Sequence, residues 1–174
     1  MAQSTAIVDI VDIILEDHKP LKKLIQILKN SDERSLDERL KAFDEFAEVL
    51  TSHTAAEEHI LYGHMKESED LRKDAFEGDV EHALAAQIVS DCKSSKDDDD
   101  MWAAKAKVLA ELVEHHLQEE EEQLFPDLKK FTTTEVRARL GHDYLELKAR
   151  IEAGDVVIDK KTNQVSRIQA LNLR

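Results

Sequence analysis

Two stretches of this chain, HTAAEEHILY at residues 53–62 and HLQEEEEQLF at 116–125, fit one pattern, His-x-x-x-Glu-Glu-x-x-Leu-aromatic. Histidine offers an imidazole nitrogen and glutamate a carboxylate oxygen, a donor pair that suits iron, manganese or zinc. Four residues apart on a helix, both project from one face. Two further histidines keep the rhythm. His18 precedes His53 by 35 residues and His82 precedes His116 by 34, while His18 to His82 spans 64 and His53 to His116 spans 63. Each half of the chain thus supplies one histidine and then one histidine–glutamate pair, which points to an internal duplication.

A helical wheel tests whether these residues face a core. With His53 at zero, Glu57 falls at about 40°, inside an apolar stripe of Phe46, Val49, Leu50 and Ile60. With His116 at zero, Glu120 falls at about 40° among Leu109, Leu112, Val113 and Leu124. Glu58 and Glu121 fall at about 140° and Glu122 at about 240°, so most of the four-glutamate run reads as surface. A buried carboxylate without a partner costs several kcal/mol or takes up a proton. Two inward glutamates and four inward histidines therefore need a shared reason, and a metal site supplies one: two glutamates can bridge two metals that the histidines cap. A hydrogen-bonded core histidine explains any one of them more simply than it explains the duplicated set. The Glu-x-x-His of ferritin-like di-iron bundles is absent, Asp79 before His82 being the only acidic case, and so is the H-E-x-x-H of zinc proteases.

The elements that must hold these residues are helices. Charged residues make up 36% of the chain, aromatics 5%, and only 4 glycines and 2 prolines punctuate it, which suits helices joined by short turns. Positions 7, 11, 14, 18, 21, 25 and 28 step by four and three as a bundle seam does, with His18 its one polar member. Pro20 should kink that helix or mark a local start. After a polar NSDERS turn at 30–35, the pattern predicts a second helix over about 36–66. A third follows over about 69–94, weakened by Gly78, with Leu71, Ala75, His82, Ala85 and Val89 facing inward. The SSKDDDD run at 94–100 reads as a linker whose aspartates complement the dipole of a fourth helix over about 100–128, ended by Pro126 and the threonines at 132–134. A shorter fifth helix is predicted over about 134–152, and VVIDKKTNQVSRI beyond Gly154 fits a hairpin or an ordered tail.

The net charge, 24 − 38 = −14, opposes binding to nucleic acid and to anionic membranes. Asp9 and Asp12 interrupt the apolar N-terminus, which reads as neither signal peptide nor membrane span, and a single cysteine, Cys92, fits a reducing cytoplasm. Among the remaining polar residues, His59 and His115 point away from the stripe, and His64 lies too far along the axis to join His53. Tyr62 falls opposite His53, Trp102 fits packing at one end of the core, and Tyr144 and His142 could approach one end of the bundle.

With DH at 17–18, HTAAEEHILY, EH at 81–82 and HLQEEEEQLFP at 116–126, the chain resembles the hemerythrin-like family of HHE cation-binding domains over roughly residues 5–130. The resemblance implies an all-α, up-down-up-down four-helix bundle with a short additional C-terminal helix: residues 1–153 as the bundle and 154–174 as a tail. It further implies a non-haem centre of two iron ions with oxo or hydroxo and carboxylate bridges, manganese and zinc being left open by donor type. Carried over, the ligands are His18, His53, Glu57, His82, His116 and Glu120, with Glu57 and Glu120 as bridges. Oxygen carriers of the family use five histidines and two carboxylates, two of the histidines a turn apart on the third helix. Here the positions a turn either side of His82 are Gly78 and Ala86, which leaves a coordination position for water, an exogenous ligand or another side chain. Gly63 also stands where a proline commonly ends the motif, as Pro126 does in the second copy. The expectation is a cytoplasmic protein whose iron pair reacts with dioxygen, hydrogen peroxide or nitric oxide, with catalase- or peroxidase-like chemistry read first. The alternatives are a sensor of oxygen, nitric oxide or iron without turnover, and a bundle that metal merely staples.

Overall fold

A computed structural model describes residues 8–30, 34–95, 100–158 and 165–167. Ile7 and parts of the predicted turn at 30–35, of the linker at 94–100 and of the C-terminal tail lie outside the described residues. Helix α1 covers Ile10–Lys29, with Asp9 as its N-cap accepting from the Val11 N–H at 3.0 Å. The helix neither starts nor stops at Pro20 but runs on through it, leaving the Glu16 carbonyl without its usual donor. Helix α2, Leu36–Ala56, opens on a capping box between Ser35 and Glu38. It passes through a π-helical turn, Glu57–Leu61, into α3, Tyr62–Met65. Helix α4 spans Arg72–Ser94 unbroken by Gly78.

Helix α5, Asp100–Glu119, enters a second π-helical turn, Glu120–Leu124, which leads into α6, Phe125–Phe131. Pro126 was expected to end this helix and does not. It sits in the first turn after the π segment, where a missing N–H is tolerated, and the helix stops at Phe131. Helix α7 follows as Thr134–Glu152 with Thr133 as N-cap. Gly154, at φ 75°, turns the chain into β1, Val156–Ile158, which pairs antiparallel with β2, Val165–Arg167. That pairing is the hairpin reading of the tail. No helix among the described residues is long and apolar enough to cross a membrane.

Two apolar clusters flank the middle of the bundle. One gathers the second half of α1, the first half of α2, the second half of α4 and most of α5, with Phe46, Trp102 and Leu109 fully or nearly buried. The other gathers the opposite halves together with α3, α6 and α7, with Ile10, Leu61 and Tyr144 buried. Along α1, α2 and α4 the histidine falls between the helix's contributions to the two clusters, and His116 lies near the end of α5, between Val113 of the first cluster and Leu124 of the second. The polar layer is therefore shut off from water above and below by hydrocarbon, which makes each unpaired charge in it costly.

Candidate metal centre

All six expected residues meet in that layer. His18 comes from α1, His53 from α2, His82 from α4 and His116 from α5, while Glu57 and Glu120 each open a π-helical turn. Each is no more than 5% exposed. His18 Nε2 stands 3.3 Å from Glu120 Oε2, and His53 Nε2 3.3 Å from Glu57 Oε2. His82 Nε2 lies 3.6 Å from Glu57 Oε2 and 2.9 Å from His116 Nε2, which is 3.7 Å from Glu120 Oε1. The donors form two adjoining sets, His18, His53, Glu57 and Glu120 on one side and Glu57, His82 and His116 on the other, each set within 4.8 Å. Glu57 belongs to both, as a bridging carboxylate would.

Apart from the His82 and His116 Nε2 atoms, which pair with each other, the imidazole nitrogens that converge are not satisfied. His18 Nε2, His53 Nε2, both Glu57 oxygens and Glu120 Oε2 are buried without a hydrogen-bond partner. A cation would satisfy all of them at once, and imidazole with carboxylate fits Fe, Mn or Zn. The outer ring nitrogens, by contrast, are well served. His18 Nδ1 meets Glu121 Oε1 at 2.7 Å, His82 Nδ1 meets Glu58 Oε1 at 3.1 Å, and His116 Nδ1 meets Glu81 Oε2 at 2.6 Å. His53 Nδ1 faces the Tyr144 hydroxyl at 3.2 Å and Asp17 Oδ2 at 3.8 Å, and Tyr144 donates to Asp17 at 2.8 Å. A carboxylate on Nδ1 would hold the proton there when Nε2 gives its lone pair inward to a metal, the arrangement that orients metal-binding histidines.

This outer ring repeats with the duplication. The residue before each first histidine, Asp17 or Glu81, serves the histidine of the following helix, His53 or His116. The second glutamate of each Glu-Glu pair, Glu58 or Glu121, serves the histidine of the other half, His82 or His18. Lys148 pairs with Asp17 at 2.6 Å and Lys22 with Glu121 at 2.7 Å, closing the network at the surface. Changing Glu58 or Glu121 to glutamine should lower metal affinity about 10–100-fold each with the fold kept, whereas the exposed Glu122 changed the same way should lower it not at all. A competitive chelator titration reads the difference.

Ionisation follows from the same crowding. Burial drives His53 down to about 4 and His82 down to about 3 from 6.5, the latter helped by the charge of His116. Burial opposes a charged His116 too, but Glu120 and Glu81 outweigh it and hold that imidazolium above its ordinary range. Burial, then the Glu120 charge, pushes Glu57 well above the carboxylate range. Glu120, despite its burial, is held low by His116 and His18. The unfolded chain protonates both depressed histidines near 6.5 and the folded one resists, so metal-stripped protein should lose stability as pH falls from 6.5 through 4. Relief of Glu57 opposes this in part down to 4.5, whereas the raised His116 gains its stabilisation above 6.5, outside that window. Denaturant midpoints across that window check the sign.

A family model for the hemerythrin HHE cation binding domain matches residues 9–128, which include every residue of the layer except Tyr144 and Lys148. The chain belongs to the hemerythrin HHE family. No curated protein and no solved structure matches it significantly.

Of the two positions a turn either side of His82, Gly78 is the one that faces a side chain of the layer. Fully buried Tyr62 occupies the space beside it: a Cβ on Gly78 would lie 2.6 Å from the phenolic oxygen and 2.7 Å from two ring carbons. The ring stacks on His82 at 5.3 Å and 24°. Its hydroxyl donates to Glu120 Oε1 at 2.8 Å and stands 3.5 Å from His116 Nε2. In the other half Phe125 stacks on His18 at 5.9 Å and 28°, without a hydroxyl, and Ile14 stands where Gly78 does. The duplication is thus broken twice at one place, and the two changes fit each other.

The wheel placed Tyr62 opposite the site and Glu58 and Glu121 on the flank. The π-helical turns correct both. Each takes up about one extra residue, so Tyr62, nine residues after His53, falls back from 180° to about 80°. Glu58 and Glu121 lie inside those turns and reach the neighbouring helix's histidine from a half-buried position. As read, His115 is exposed beside Glu119, His59 is exposed and Trp102 packs edge-on to Phe43; of the pair expected to approach the bundle, Tyr144 reaches His53 while His142 is exposed.

Proposed function

We propose that this hemerythrin-family protein binds two iron ions through His18, His53, Glu57, His82, His116 and Glu120, and that the pair reacts with a small oxidant, first of all hydrogen peroxide. The observation that carries the reading is the Gly78–Tyr62 exchange. A turn before His82, at one of the two positions open to the further histidine of the family's oxygen carriers, this chain sets a phenol whose oxygen faces His116 and Glu120. The alternate membership of helix halves in the two apolar clusters supports the up-down-up-down bundle that such a site needs.

Bound iron would supply redox chemistry and Lewis acidity toward dioxygen, peroxide or nitric oxide. The chain's own groups do the rest. Glu57 and Glu120 offset the cationic charge, and the outer carboxylates fix the four imidazoles. Tyr62 offers an oxygen donor or a proton at the position that no histidine fills, and Phe125 and the flanking hydrocarbon keep the other side dry. A sensor of oxygen or nitric oxide is the second reading, favoured by an approach that is apolar rather than polar on the His82 side.

Metal content of the purified protein, followed by visible spectra and oxygen release on adding hydrogen peroxide, tests this. About two irons per chain with sustained oxygen release supports peroxide handling. Iron without turnover shifts the function to ligand sensing, and a folded protein that takes up no iron overturns the reading.

A further inference from the structure

Two cavities approach the centre from opposite chemistries. One, of about 160 Å³, is polar and acidic, with Asp74, Glu77, Glu119 and Asp127 around Tyr62 and His116. The other, of about 130 Å³, lies between α2 and α4, helices that touch each other less than their sequence neighbours do, and of the candidate ligands it reaches His82. Leu50, Ala85, Ala86 and Val89 supply its hydrocarbon. Thr51 and Thr54 also line it, but their hydroxyls are spent on the carbonyls of Ala47 at 2.6 Å and Leu50 at 3.0 Å. The two threonines therefore bring no free hydroxyl donor to it, and the polar groups Ser90 and Lys93 stand one and two turns beyond Ala86 along α4.

We infer that the cavity between α2 and α4 is the entry and holding site for a small apolar molecule, dioxygen or nitric oxide, on its way to the centre beside His82. Charged and strongly hydrated species are left to the acidic side. The inference rests on the metal-binding reading only for its destination. Desolvating a nonpolar diatomic costs nothing in such a pocket, whereas peroxide would give up water hydrogen bonds with little returned. Ala86 sets the bore: it is small, half-buried, and one turn beyond His82 on the same helix, so a larger side chain there projects into the space. A cavity of this size with hydrocarbon walls is also large enough to hold xenon.

Xenon-pressurised crystals of the protein as isolated give the first readout, which needs no iron. Density between Ala86 and His82, lost in Ala86→Phe, is expected. The second readout is nitric oxide association with the iron-loaded, reduced protein by stopped flow. It should slow at least about tenfold in Ala86→Phe and quicken in Val89→Ala, with iron content unchanged. Gln123→Trp on the acidic side should leave that rate alone. If Ala86→Phe fails to fold, Ala86→Leu carries the same test at smaller amplitude. No xenon in the folded wild type overturns the inference, as does nitric oxide association slowed by Gln123→Trp and not by either Ala86 variant. Xenon bound in a protein that takes up no iron keeps the cavity and sinks the iron reading, while iron without xenon does the reverse.

Discussion

Glu57→Gln should make the metal-stripped protein more stable while it destroys metal binding. Glu57 is fully buried, both its oxygens lack a hydrogen-bond partner, and burial with the neighbouring Glu120 charge forces it to carry a proton. A carboxyl whose folded value lies above its unfolded 4.5 penalises the fold at every pH above 4.5, because the unfolded chain releases that proton and the folded one cannot. Glutamine keeps the shape and carries no such proton, but its amide also wants partners, so a gain of about 1–3 kcal/mol is expected at pH 7. It should fade as pH falls toward 4.5, which urea midpoints at the two pH values will show. Iron affinity should fall by more than the roughly 100-fold upper range known for outer carboxylates, since Glu57 alone belongs to both donor sets. A variant less stable than wild type at pH 7 without metal would mean that Glu57 is stabilised by something other than a cation. The opposite signs on stability and binding are what separate a functional carboxylate from a structural one.

How much of this could be read from residues alone depends on where the α-helix stays regular. His53 with Glu57, and His116 with Glu120, are each four residues apart on the stretch before the π-helical turn takes effect, so ideal geometry puts both members inside. Glu58, Glu121 and Tyr62 come within or after that turn, and the same arithmetic sends them to the flank or the back. Their signal was nonetheless present, because the second glutamate and the terminal aromatic recur in both copies of the repeat. Asp17 and Glu81 carried a weaker trace as the acidic neighbours of His18 and His82. Tyr144 had none in its local pattern: it reaches His53 only because α7 packs against the bundle. Gly78 looked like a flaw in a helix, since a missing side chain announces itself only when the group that needs the space is seen.

That last pairing makes the largest prediction about packing. Gly78→His, which would set a second histidine a turn before His82, should cost more than about 3 kcal/mol in the wild-type background and abolish iron loading. The new Cβ alone would stand 2.6 Å from the Tyr62 oxygen, and the ring cannot move aside while it is stacked on His82 and bonded to Glu120. In a Tyr62→Ala background the same histidine enters an emptied space a turn before His82. Most of the loss should then be recovered, so the double-mutant coupling should reach about 2–3 kcal/mol. The spectrum provides a readout that packing cannot imitate. If the Tyr62 oxygen is a donor, ferric wild type shows a phenolate-to-iron charge-transfer band that Tyr62→Phe loses with its iron content intact, and Gly78→His in the Tyr62→Ala background lacks it as well. A band that survives in Tyr62→Phe would confine Tyr62 to orienting Glu120. Loss of iron in Tyr62→Phe would instead make the hydroxyl necessary for assembling the centre, through the hydrogen bond that now holds Glu120 Oε1 beside His116.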